Sequence, residues 1–170
     1  MRRVVSFKSD TDSRGFAFTL VELMIVITVI ALLALIPLSR GISSFQPPLA
    51  AQKLVSDIQY VQALAMSTST RCGVDFNVGT NAYTLFSGTP STPLTDPVNQ
   101  GTYTVQYGTG VYSEVSLSSA SIGSTSTLYF DSRGKPYNGS GTALTSDGLI
   151  VLNGAINVTV TRETGYTASS

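Results

Sequence analysis

An apolar run spans residues 18–36, reading Phe-Thr-Leu-Val-Glu-Leu-Met-Ile-Val-Ile-Thr-Val-Ile-Ala-Leu-Leu-Ala-Leu-Ile, and Glu22 is its single charge. As an α-helix this run would be about 28 Å long, close to the roughly 30 Å hydrocarbon core of a bilayer. It therefore has the length of a membrane span. An ionised carboxylate costs about 2.5 to 3.5 kcal/mol at the bilayer centre, and less near the interface where Glu22 would sit. That cost points to a purpose for the acid. Upstream, residues 1–17 carry Arg2, Arg3, Lys8 and Arg14 against Asp10 and Asp12, a net of +2. An excess of basic residues ahead of a span holds that end in the cytoplasm and sends the remainder across.

A secretory signal peptide would have an apolar region of about 7 to 15 residues ending in a small-residue cleavage site. This run is longer, opens on an acid and ends in Pro37-Leu38-Ser39-Arg40. An ordinary membrane anchor has no reason to place a glutamate at its entrance. The residues Phe18-Thr19-Leu20-Val21-Glu22, behind a short basic leader and ahead of a hydrophobic helix, resemble the N-terminus of type IV prepilins and of the pseudopilins of type II secretion systems. In those chains a peptidase cuts after a glycine, methylates the new amine and leaves glutamate as the fifth mature residue. Here cleavage between Ala17 and Phe18 puts Glu22 fifth but replaces the glycine by alanine. Cleavage between Gly15 and Phe16 keeps the glycine and puts Glu22 seventh. The first site is preferred, because the position of the acid relative to the new amino terminus has a mechanical role.

Removing residues 1–17 leaves six basic residues against eight acidic ones, a net of −2. Such a balance does not favour nucleic acid. Histidine is absent, so Ser-His-Asp, Cys-His and His-metal chemistry are all excluded. The lone Cys72 cannot form an intramolecular disulfide and reads as a buried strand residue. The scattered acids show no paired arrangement, and no enzymatic activity is expected.

Pro37, Gly41, Pro47 and Pro48 punctuate the end of the span and predict a break or bend there. Across residues 49–69, Leu54, Ile58, Val61 and Ala65 recur at helical spacing, predicting a stripe that packs on a sheet while Lys53, Asp57, Gln59 and Gln62 face elsewhere. Pro47 or Pro48 suits the first turn of this helix. Beyond Arg71 the pattern becomes that of strands. Residues 72–78 and 82–86 flank a Gly79-Thr80-Asn81 turn, and residues 102–107 and 111–117 repeat the arrangement around Gly108-Thr109-Gly110. Shorter strands are expected at 128–130 and 150–152, with strict alternation at 156–161. Loops are expected at 87–101 and 131–148. The expected class is α+β, with a long hydrophobic N-terminal helix, bent near Pro37 to Pro48, leading into an antiparallel β-domain. Its segments are a leader at 1–17, the span at 18–38, a bend and amphipathic helix at 39–70 and the β-domain at 71–170.

Within the second loop, Asp131, Asn138 and Asp147 offer oxygen ligands for calcium, but no spaced Asp-x-Asp array is present and turn chemistry is preferred. No cofactor is expected. Asn138-Gly139-Ser140 and Asn157-Val158-Thr159 match glycosylation sequons, short patterns that arise by chance.

The order of the C-terminal features sharpens the resemblance. Leu-Tyr-Phe-Asp-Ser-Arg-Gly-Lys-Pro at 128–136 and a last strand closing Val-Thr-Arg-Glu-Thr-Gly-Tyr at 160–166 resemble the pseudopilin H and FimT family of minor pilins. A tryptophan and an Arg-Asn pair often found in that family are missing. The resemblance implies a helical spine with two small β-sheets, and some pseudopilins hold calcium in a C-terminal loop. It also implies a non-enzymatic subunit of a type II secretion pseudopilus, inserted once in the inner membrane with its N-terminus cytoplasmic and its β-domain periplasmic or in an external filament. Its partners would be other pilin subunits, through the N-terminal helix, and the prepilin peptidase. Minor type IV pilins are the near alternative. FimT-like chains can also bind DNA through a basic tail, but here Arg162 stands beside Glu163 with no cation after it.

The charge balance yields an expected outcome. The protein should show no salt-dependent DNA binding in a mobility-shift or anisotropy titration at physiological ionic strength. Micromolar binding that weakens steeply with added salt would restore the DNA-uptake reading.

Overall fold

The computed structural model describes residues 19–39 and 45–170. Two units divide the chain between residues 41 and 42. The first contains helix α1, Leu20–Ser39. The second contains helix α2 (Gln46–Thr68) and nine strands: β1 (Cys72–Asn77), β2 (Ala82–Ser87), β3 (Thr104–Gln106), β4 (Leu117–Ser121), β5 (Thr127–Phe130), β6 (Pro136–Asn138), β7 (Gly148–Leu152), β8 (Ile156–Val160) and β9 (Thr167–Ser169).

Helix α1 runs through Pro37 to Ser39. In a last turn a proline forfeits only the bond its own amide would have made. Residues 40–44, where the expected bend is centred, lie outside the described residues. Helix α2 begins with Pro47 and Pro48 in its first turn and ends at Ser69, whose φ of 54° is left-handed.

The strands form two antiparallel sheets, ordered β3-β2-β1-β5-β6 and β4-β7-β8-β9. The β1–β2 and β7–β8 hairpins each turn through an asparagine with positive φ, Asn81 (57°) and Asn153 (52°). Gly73, the second residue of β1, has no room for a side chain, because a Cβ there would overlap the Phe86 ring and the carbonyl of Leu128. That close approach lets the T-shaped Phe86–Tyr129 pair, 5.1 Å between ring centres, close over the strand.

One expected hairpin is absent. Residues 102–107 yield the short β3, but residues 111–117 do not return beside it. Gly108 (φ 77°) and Gly110 (φ 55°) redirect the chain into a 3-10 turn, Gly110–Tyr112. The Tyr112 ring then meets the edge of Tyr107 at 5.7 Å. The chain crosses to the second sheet, where it forms β4. Two asparagine side chains pin this crossing. Asn81 accepts from the Leu117 N–H (2.6 Å) and donates to the Val115 carbonyl (3.3 Å). Asn153 accepts from the Ser116 N–H and donates to the Glu114 carbonyl (2.7 Å). Strands β4, β6 and β9 were not expected from sequence, and β6 divides the anticipated 131–148 loop.

Helix α2 packs against both sheets, touching β1, β2 and β5 of the first and β8 and β9 of the second. Leu54, Ile58, Val61 and Ala65 are fully buried, as their spacing predicts. Asp57 is a correction: it is buried at 4% exposure instead of facing away. It follows Leu54 by three residues and precedes Val61 by four, so helical geometry carries it to the core-facing side. Its carboxylate is satisfied there. Tyr83 donates to one oxygen (2.7 Å), while Tyr103 (2.9 Å) and the Lys53 ammonium bond the other. Lys53 also lies 5.0 Å from the centre of the Tyr103 ring.

These contacts perturb the titration of the cluster. Burial drives the Tyr83 phenol well above its ordinary range, helped by the negative charge of Asp57. Burial also raises Tyr107, in line with its deep position. For Lys53 burial works downward, but the bonds to Asp57 and Tyr103 outweigh it and the net direction is up.

Asp57→Ala should lower the unfolding free energy by about 2 kcal/mol, since it strands the buried Tyr83 hydroxyl and a charge-assisted set of bonds. Chemical denaturation checks this. A phenol raised in the folded state binds its proton more tightly there than in the unfolded chain. The associated stability is complete below the unfolded tyrosine value near 10 and is lost as pH rises beyond it. Alkaline unfolding should therefore begin above about pH 10 and weaken in slope in Tyr83→Phe.

Candidate assembly site

Helix α1 starts from a local cap. The Thr19 hydroxyl accepts the Glu22 N–H at 3.2 Å, and the Thr19 carbonyl accepts that of Leu23 at 3.1 Å. Threonine followed three residues later by glutamate is the sequence of a capping box, and an acid in the first turn also suits the positive end of the helix. Glu22 thus enters the cap through its main-chain N–H, while its charge suits the start of the helix. Within the helix, the Thr28 hydroxyl donates to the Met24 carbonyl at 2.6 Å, so this polar atom needs no external partner.

Among the described residues, nothing covers the apolar side chains of α1 from Leu20 to Leu32. Every residue from Thr19 to Leu32 is exposed, and the large apolar ones range from 43% at Val26 to 75% at Leu20. They point to all sides of the helix, so no rotation could bury them against one surface. A continuous apolar surface of this kind marks a contact with lipid or with other protein. Among the described residues, however, no helix is long and apolar enough to cross a membrane. The expected span starts at Phe18, outside the described residues.

Of the residues singled out from sequence, Glu22 lies in the exposed first turn of α1. Gly15, Phe16, Ala17 and Phe18 fall outside the described residues. Cys72 is fully buried, its Sγ 3.6 Å from the Ser87 hydroxyl.

Of the three candidate calcium ligands, Asp131 and Asn138 serve turns of their own and Asp147 ties the start of β7 to the end of β8. Asp131 accepts the N–H groups of Arg133 and Lys135, both at 2.9 Å. Partial burial pushes its carboxyl up, but those two amides and the Arg133 charge prevail and hold it below the ordinary range. Asn138 accepts from Ser140 (3.1 Å) and Thr142 (3.0 Å), and Asp147 from the Arg162 N–H (3.0 Å). Among the described residues no group of three or more acids, cysteines or histidines stands close enough to hold a metal.

The feature that sequence reasoning missed is the Asp57 cluster. Its signal was the coincidence of an acid at a core-facing helical position with Tyr83 and Tyr103 in the strand region.

Comparison with known proteins bears on both units. Residues 13–36 match the prokaryotic N-terminal methylation motif. Curated protein sequences yield no match to the chain. Among solved structures, the minor pseudopilin EpsH from the type 2 secretion system of Vibrio cholerae is similar, with a TM-score of 0.52 at 15% identity over 74% of this chain and 96% of that one. At that identity the likeness concerns the fold. The chain therefore joins a prepilin-type N-terminal methylation segment to a globular domain with the fold of a minor pseudopilin.

Proposed function

We propose that this chain is a non-enzymatic filament subunit, a minor pseudopilin of a type II secretion system. It is held in the inner membrane by the segment 18–38, then assembled by that segment into a periplasmic pseudopilus. The single observation that carries the reading is the methylation motif at residues 13–36, which runs through most of a helix whose apolar residues from 20 to 32 are uncovered. The β-domain supplies the surface that sets partner specificity.

In this reading the prepilin peptidase removes residues 1–17 and exposes the amine of Phe18, which is then methylated. Other subunits contact the exposed helix, where close packing replaces lipid. The Glu22 carboxylate meets the Phe18 amine of a neighbouring subunit. Two opposite charges about 4 Å apart attract by about 4 kcal/mol at an effective dielectric near 20, which offsets much of the cost of burying them and sets the axial stagger.

Intact mass of the mature protein should correspond to a chain starting at Phe18, carrying one added methyl group. A chain starting at Phe16 would move the site without changing the class, whereas an unprocessed chain starting at Met1 would count against the reading. Glu22→Ala should leave cleavage and membrane insertion largely intact but sharply reduce incorporation into filaments, read by crosslinking to neighbouring subunits. Undiminished incorporation would leave Glu22 only as a charge suited to the start of its helix.

A further inference from the structure

Asparagine stands directly before glycine twice in this chain, at Asn138-Gly139 and at Asn153-Gly154. Such a pair is chemically labile. The glycine nitrogen can attack the asparagine Cγ, forming a new C–N bond while the carboxamide nitrogen takes up the proton and leaves as ammonia. Water then opens the five-membered imide to aspartate or to isoaspartate. Glycine favours the attack because no side chain shields its nitrogen.

At Asn153-Gly154 both reacting groups are engaged elsewhere. The Ser118 hydroxyl accepts the Gly154 N–H at 2.8 Å. The Asn153 carboxamide is held at both ends, donating to the Glu114 carbonyl (2.7 Å) and accepting from the N–H and the hydroxyl of Ser116. Ser118 reaches this turn through the irregularity in β4. Leu117 pairs with Leu152 and Ser119 with Val151, so Ser118 is the extra residue of a bulge, a device that re-aims a side chain.

Asn138-Gly139, on the other sheet, is held in the same way. The Thr125 hydroxyl accepts the Gly139 N–H at 2.8 Å, and the Asn138 side-chain oxygen accepts the N–H groups of Ser140 and Thr142. A glycine N–H given to a hydroxyl is thus common to both sites, although the hydroxyls come from different segments. Conversion at residue 153 would damage the fold. Aspartate would set an oxygen against the Glu114 carbonyl, and isoaspartate would lengthen the main chain of the β7–β8 turn, so the crossing at 113–116 would lose one of its two pins.

We propose that Asn138 and Asn153 are latent deamidation sites, kept closed by the Thr125 and Ser118 hydroxyls, which turn each glycine N–H away from the neighbouring carboxamide. The proposal does not depend on how α1 is used. For the test, the full-length protein in detergent micelles is incubated in mildly alkaline buffer beside the blocked peptides Val-Leu-Asn-Gly-Ala and Tyr-Asn-Gly-Ser-Gly, and conversion is followed site by site by peptide mass spectrometry. Both sites in the folded protein should convert more slowly than their peptides by about tenfold or more. Ser118→Ala should speed conversion at Asn153 by about fivefold, the effect of one lost hydrogen bond, and leave Asn138 unchanged. Thr125→Val should do the reverse, and Ser118→Thr, which keeps the hydroxyl, should match the unaltered protein. Conversion at the peptide rate at either site, or an unchanged rate at the site whose hydroxyl has been removed, would overturn the proposal. So would a rise at both sites together in one variant, since that reports a loosened domain and not a lost guard.

Discussion

The globular unit depends on burying one face of α2. Ala50, Ala51, Leu54, Ile58, Val61 and Ala65 are all almost completely covered, and the two sheets share the task of covering them. Neither sheet alone has a second layer to pack on, so the helix is the common partner that makes the two sheets one core. The small residues matter as much as the large ones, since Ala50, Ala51 and Ala65 let the backbone of the helix come close to the strands. A buried carboxylate in the midst of this face is tolerable because it is fully bonded. A purely apolar face would have fixed the helix less specifically along its own axis, whereas Asp57 must reach Tyr83 on β2 and Tyr103 just before β3 at once.

The two sheets are also joined by a segment that is neither helix nor strand. Residues 113–116 are held mainly by two asparagine side chains reaching from hairpin turns of opposite sheets. Each asparagine adopts the left-handed backbone that a tight turn requires, and its short amide is then free to satisfy the main chain of the crossing. The turn residues of two hairpins therefore serve a third element, which couples the ends of both sheets to the path between them.

Much of the fold was legible in the sequence because its signals are local. The stripe of α2, the β1–β2 hairpin around its Gly-Thr-Asn turn and the alternation in β8 all appear as expected. What failed to be legible depends on distant partners. Nothing near residues 111–117 reveals that the segment is needed by Asn81 and Asn153, so its glycines read as a simple hairpin turn. Strands β6 and β9, three residues each, are too short to carry a period and exist through pairing with β5 and β8. The burial of Asp57 was hidden because a charged residue on a helix usually faces water, and only the bonds from Tyr83, Tyr103 and Lys53 make the exception possible. For the candidate assembly site, the methylation motif was legible in Phe18 to Glu22, while the bond from the Glu22 main-chain N–H to the Thr19 hydroxyl appears only in the folded chain.

The uncovered apolar helix has a thermodynamic consequence for the filament reading. Burial from water would favour association by roughly 25 cal/mol for each Å² of apolar surface. A helix leaving a bilayer gains no such term, because hydrocarbon chains are as apolar as the leucine, isoleucine and valine side chains they surround. The transfer from lipid to a bundle of neighbouring helices is then close to balanced, decided by packing and by one acid. A structure built on such a step can be extended or withdrawn with little net change in free energy, so its direction of travel is set by whatever work is supplied to it and not by the stickiness of its subunits.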